Sequence, residues 1–267
     1  MALQNPITAE NFPMSLNLRK TGGNALSILT SDVMNRATSF VLYALVARRL
    51  GAQEFGQLTL AFTLFYTFQV FAVGGLKTLI VRQVAKDRAQ TRLYFINGCM
   101  IVALSSLASI VALWSFVHLM HYPPATNRVI FSLSAGLLPY TISAVCEGLF
   151  QAWEQMRYIA YVNVPVNIAK VAGAFLLLTT NRGLNPVVLI LLSSLAVTAA
   201  VEVWILLRKF SSPPASIDFH FSLTTVRSAA TFLGIDGTLA VMTSLNVLLL
   251  SKLATETEVA CTMQRHS

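Results

Sequence analysis

Charge is scarce in this sequence: Asp, Glu, Lys and Arg make up 11% of the 267 residues. A soluble domain carries roughly 25%, so a water-soluble globule is excluded at the outset. Acids are the scarcer sign, with 11 Asp and Glu against 19 Lys and Arg. Cysteine is limited to Cys99, Cys146 and Cys261, far apart and with no CxxC, which excludes a disulfide framework and a zinc site. The 13 glycines and 9 prolines are too few for a collagen-like or low-complexity chain. No GxxxxGK[ST] phosphate loop occurs, nor GxSxG or HExxH, and no acidic pair suggests glycosyl transfer. No enzymatic activity and no cofactor are therefore expected. His118 and His121 have ligand-like spacing but no third ligand nearby, so no metal is expected either.

What the sequence has is apolar length. Hydrophobic residues account for 55% and the mean hydropathy is +0.65. A crossing helix needs about 20 mostly apolar residues. Seven stretches qualify: 24–47, 55–81, 94–118, 129–153, 158–180, 186–207 and 228–251. They are apolar on every side, as in 187–197, rather than alternating, which excludes a β-barrel. The expected fold is an all-α polytopic membrane bundle of about seven helices. The basic excess (net charge +8, pI near 9.7) lies mainly between the apolar runs, which is membrane-protein patterning and not a nucleic-acid footprint. With the N-terminus cytoplasmic, that side holds Arg19, Lys20, Arg82, Lys86, Arg88, Arg92, Arg157, Arg208, Lys209 and Arg227. The opposite side holds Arg48, Arg49, Arg128, Arg182, Lys252 and Arg265. The positive-inside rule thus places the N-terminus in the cytoplasm, and the basic loop 82–92 against anionic lipid.

The expected organisation is an N-terminal segment (1–23), six helices (24–207), a linker (208–227), a seventh helix (228–251) and a polar tail (252–267). The linker contains Ser211-Ser212-Pro213-Pro214, a helix-stopping spacer. The end of the seventh helix, Leu250-Ser251-Lys252-Leu253-Ala254 then Glu258, echoes Ala47-Arg48-Arg49-Leu50-Gly51 then Glu54 at the end of the first. Transporters are often built from such repeats, with the site at their interface.

Ionisable residues inside the apolar runs are costly and usually mark pathways. Asp32 and Arg36 each cost about 2.5–3.5 kcal/mol at a helix centre, against about −0.3 to −0.6 for each apolar neighbour. The first helix is therefore marginal without partners or a wet interior. Asp32, Arg36, Ser39 and Tyr43 form one stripe, read either as a self-neutralising Asp32–Arg36 pair or as a cavity wall. In the fifth helix Asn163, Asn167 and Lys170 share a face near Pro165. The Asn side chains are candidates for bonds to a neighbouring helix. Lys170, mid-span, needs an acid, a cavity or an anionic ligand. Tyr140, Ser143, Glu147 and Gln151 line up beside Pro139, which permits a kink. Lys77 and Asp236 lie nearer helix ends, Lys77 within snorkelling reach, and Glu202 is read as interfacial.

One stretch carries a resemblance. Ala47-Arg48-Arg49-Leu50-Gly51-Ala52-Gln53-Glu54-Phe55-Gly56 is followed by Gly74-Gly75-Leu76 and then by Val81-Arg82-Gln83-Val84-Ala85-Lys86-Asp87. Residues 24–87 resemble the N-terminal signature of bacterial polysaccharide-biosynthesis membrane proteins. These are the lipid-linked oligosaccharide (O-antigen type) flippases of the multidrug/oligosaccharidyl-lipid/polysaccharide exporter superfamily. Helices three to six agree in length and spacing. The resemblance implies a chain located in the inner membrane that flips a polyprenyl-pyrophosphate-linked oligosaccharide between leaflets. Its partners would be that lipid-linked oligosaccharide, membrane lipid, and the polysaccharide polymerase and other membrane proteins of the pathway. Family members have twelve or more helices in two lobes, so this chain is expected to be a first lobe plus a C-terminally truncated second. On that reading Arg36, Lys77 and Lys170, with Asn163 and Asn167, receive the anion. Asp32, Glu147 and Asp236 balance charge or couple to an ion. Three alternatives stay open: a cation-coupled multidrug exporter of the same superfamily, a non-transporting fragment, and a polymerase or ligase. The last would want a large extracytoplasmic loop, which the short loops do not supply.

Overall fold

The computed structural model describes residues 14–179, 183–210 and 221–230, with short helical pieces at 233–234, 237–238 and 241–242. Among the described residues every regular element is helical. The order is α1 (Met14–Leu50), α2 (Ala52–Val73), α3 (Leu76–Lys86), a 3₁₀ turn (Arg88–Gln90), α4 (Thr91–Met120), α5 (Pro124–Ser134), α6 (Leu137–Ala152), α7 (Arg157–Thr179) and α8 (Asn185–Lys209). Five stretches are long and apolar enough to cross a membrane: Ala52–Lys86, Arg88–Met120, Pro124–Ala152, Arg157–Thr179 and Asn185–Lys209. The chain is thus an all-helical membrane bundle. The first expected span is present as α1 but is less apolar than these five. It begins at Met14, ahead of the expected Asn24, and its 37 residues reach about 55 Å at 1.5 Å per residue. The seventh expected span falls largely outside the described residues, as do half of the linker (211–220) and the whole polar tail. A described helix already runs through 221–230, inside the stretch expected as linker.

Two of the expected continuous helices are broken, each for a backbone reason. The second is interrupted at Gly74 (φ 59°) and Gly75 (φ 72°), both in the left-handed region that an L side chain enters only under strain. The Gly74 N–H still closes on the Val70 carbonyl, and the Ser105 hydroxyl of α4 donates to the Ala72 carbonyl, so the break leaves that carbonyl satisfied. The fourth is interrupted before Pro139. Proline has no N–H to return to the residue four positions back, here Ala135. The chain there tightens into three-residue turns, Ala135 N–H to Ser132 O and Gly136 N–H to Leu133 O.

Between lipid-embedded helices there is little hydrophobic drive, so close packing and interhelical hydrogen bonds do the holding. Gly148 of α6 illustrates the first. A Cβ there would stand 3.3 Å from the Lys77 carbonyl oxygen, so its absence lets the α3 backbone lie directly on α6. Illustrating the second, Ser106 and Thr141 share a hydrogen bond of 2.8 Å between α4 and α6, and Trp153 Nε1 donates to Thr91 Oγ1 at 2.9 Å. Two apolar cores result. One, around Leu42, Leu58, Leu64, Leu113, Leu133 and Leu178, gathers at the end bearing Leu50, Met120 and Thr179. The other, around Ile80, Leu149, Phe150, Ile159, Leu206 and Phe210, gathers at the end bearing Lys86, Arg157 and Lys209. Between them, along α1, α6, α7 and α8, the packing turns polar.

Candidate functional site

A cavity of about 350 Å³ occupies that polar zone. The long contact between α1 and α7 forms one side, with Ser31, Asp32 and Asn35 from α1 and Asn163, Asn167 and Lys170 from α7. Tyr140, Ser143, Glu147 and Gln151 of α6 form a second, Ser194 and Thr198 of α8 a third, and Lys77 of α3 closes it. Lys170 lies about 20 Å along α7 from Arg157 at 1.5 Å per residue, well inside a hydrocarbon core of about 30 Å. A smaller chamber of about 100 Å³ adjoins it and shares Asn35, Tyr140, Lys170, Ser194 and Leu195. Its further walls are aromatic: Tyr43, Phe62, Phe65 and Tyr66. Lys170 therefore stands where a polar compartment meets an aromatic one.

The charges are not equivalent. Lys77 Nζ is 2.5 Å from Glu147 Oε2, the one ion pair within 4 Å among the described residues. Both reach the cavity, with side chains 32% and 20% exposed. The other Glu147 oxygen accepts from Asn163 Nδ2 at 3.2 Å, so a bond from α7 to α6 is made by one of the two Asn side chains expected to reach across. Lys170 Nζ instead donates to Asn167 Oδ1 at 2.6 Å, a neutral acceptor one turn away on its own helix. Of the two cavity lysines, then, only Lys77 has a carboxylate partner among the described residues. Asp32 and Arg36 form no ion pair with each other, so the self-neutralising reading of that stripe is not what the structure holds.

The structure gathers Asp32, Lys77, Glu147, Asn163, Asn167 and Lys170 around one cavity. Arg36 is exposed and stands outside it, and Asp236 lies outside the described residues. Lys77, read as able to snorkel, is held by Glu147 instead. Glu202 corrects the sequence reading most clearly. Expected at the interface, it is 0% exposed, with Oε2 accepting from the Ser143 hydroxyl and Oε1 without a hydrogen-bond partner among the described residues. Ser143 and Glu147 are four apart on α6, so Glu202 and Lys77 meet successive positions of one helix face. The polar wall residues missed by sequence reasoning are Ser31, Asn35, Ser194 and Thr198. A signal existed for the last two: Ser194, Thr198 and Glu202 recur every four residues along the otherwise apolar α8.

A family model described as polysaccharide biosynthesis protein matches residues 22–263. No curated protein matches the chain.

Proposed function

The chain belongs to the polysaccharide biosynthesis protein family, and we propose on that premise that it flips a polyprenyl-pyrophosphate-linked oligosaccharide across the cytoplasmic membrane. The observation that supports this best is Lys170, an ammonium deep in the bundle, on a cavity wall, with only a neutral amide as partner among the described residues. An intramembrane cation without a counter-charge calls for an anion, and a pyrophosphate is the anionic group of such a cargo. The polar wall of Asn35, Asn163, Ser194 and Thr198 offers hydrogen bonds to the sugar-bearing headgroup while the prenyl tail stays in lipid. The rival cargo, an organic cation, suits the aromatic chamber and Asp32 but meets the repulsion of Lys170.

The direct test is the leaflet distribution of the cargo. In a host depleted of this protein, the lipid-linked oligosaccharide should accumulate on the cytoplasmic leaflet, protected in intact cells from a membrane-impermeant sugar oxidant. An unchanged distribution overturns the proposal.

The orientation read from the basic loops supplies a second expected result. A single cysteine placed within 86–92 should react with an impermeant maleimide only in inverted vesicles, and one within 123–126 only in intact spheroplasts. The reverse pattern would overturn the cytoplasmic placement of the N-terminus.

A further inference from the structure

Glu147 sits where a ligand anion would sit. Its two oxygens take the Lys77 ammonium and the Asn163 amide N–H, and all three side chains line the cavity. An ammonium and an amide N–H converging on one oxyanion are the donors a phosphate oxygen requires. The pair is also the ionic tie between α3 and α6, next to the close approach at Gly148. Neither partner is sealed off from the cavity, so an anion inside it would meet both.

We propose that Glu147 is a resident competitor for the pyrophosphate: the incoming phosphate displaces its carboxylate from Lys77 and Asn163, and on release the carboxylate returns. This rests on reading the cavity as a pyrophosphate site and adds to it a division of labour. Lys170 offers the first phosphate a charge that no carboxylate among the described residues neutralises. Lys77 becomes available to the second phosphate only when Glu147 gives way. Anion binding then unties α3 from α6, and a ligand can shift a conformational equilibrium only through such a difference in contacts. The returning carboxylate keeps the site from holding its cargo too tightly to leave, a general requirement of passage through a membrane.

The test is isothermal titration of the purified full chain in detergent with two probes, inorganic pyrophosphate and farnesyl pyrophosphate. Glu147→Gln should tighten binding by about tenfold, the scale of one charge-assisted contact released from competition. Adding Lys77→Met to Glu147→Gln should erase that gain. Glu147→Asp, which keeps the charge but shortens its reach, should show a smaller gain and serves if the Gln variant folds poorly. Tightening for both probes, or for the prenylated one alone, supports the competition. The prenylated-only result assigns it to a lipid headgroup rather than to free pyrophosphate. No tightening in either Glu147 variant, or tightening that persists without Lys77, overturns it. Undiminished binding of both probes by Lys170→Ala is a separate result, and it would remove the pyrophosphate reading of the cavity rather than the role of Glu147.

Discussion

Lys170→Ala should abolish polysaccharide export in a complementation assay while leaving membrane abundance close to wild type. The reason lies in what Lys170 does not do. Its Nζ donates to Asn167 Oδ1 of the same helix and, among the described residues, to no carboxylate, so no ion pair between the described helices is lost with it. Removal relieves an intramembrane charge, a change that leaves folding unharmed or aids it. What disappears is the ammonium that the cargo's phosphate would meet. A hydrogen bond to a charged group is worth about 1.5–3 kcal/mol, or roughly 10–100-fold in affinity. Lys170→Arg should retain part of the export, because charge survives while a planar fork replaces a compact donor. Lys170→Met, with similar bulk and no charge, should match Ala and so separate charge from packing. Export at the wild-type level by both neutral variants would take Lys170 out of the site.

The parts of this bundle legible in the sequence are those fixed by length and hydropathy. The five apolar stretches from Ala52 to Lys209 have the expected positions within a few residues, because each needs only its own composition to be recognised. What escaped is what depends on direction around a helix. Spacing alone groups Arg36 with Asp32, four residues apart. At about 100° per residue, however, the wall face of α1 is centred on Ile28 and Asn35, with Asp32 near its edge and Arg36 past it. That centre is set by how α1 lies on α7, which no property of α1 alone specifies. Glu202 was misplaced for the related reason that its distance from Lys209 measures depth and not azimuth. It lies inward because Ser143 of α6 is there to meet it. The helix breaks escaped differently. Gly74-Gly75 and Pro139 were visible, but in a bundle their backbone groups can be satisfied by neighbours, so only the partner helices decide whether such residues bend a span or interrupt it.

Lys77→Met should lower the amount of protein in the membrane, and Glu147→Gln in the same chain should restore it. Lys77 is held to Glu147 across the α3–α6 contact, and removing one member of a buried pair costs about 3–5 kcal/mol because the other charge is stranded. With side chains 32% and 20% exposed to the cavity, this pair keeps some access to water, and the loss should be nearer 1–3 kcal/mol. That is still a large share of a marginal stability and should be read as a several-fold fall in abundance by quantitative immunoblot. The stranded group matters more than the broken contact. Without Lys77, Glu147 keeps only the Asn163 amide, and one turn away on α6 Ser143 already serves the fully buried Glu202. Two carboxyls would then share one stretch of helix face with no cation between them. Glu147→Gln removes that charge yet leaves an amide oxygen for Asn163, so the double variant should fold where the single one fails. The double variant should still export poorly, since Lys77 is absent from the cavity, and this divides structure from function at one position. If Lys77→Met alone reaches wild-type abundance, the ion pair does not hold α3 to α6, and the Gly148 contact with the apolar core around Ile80 and Leu149 carries that junction by packing alone.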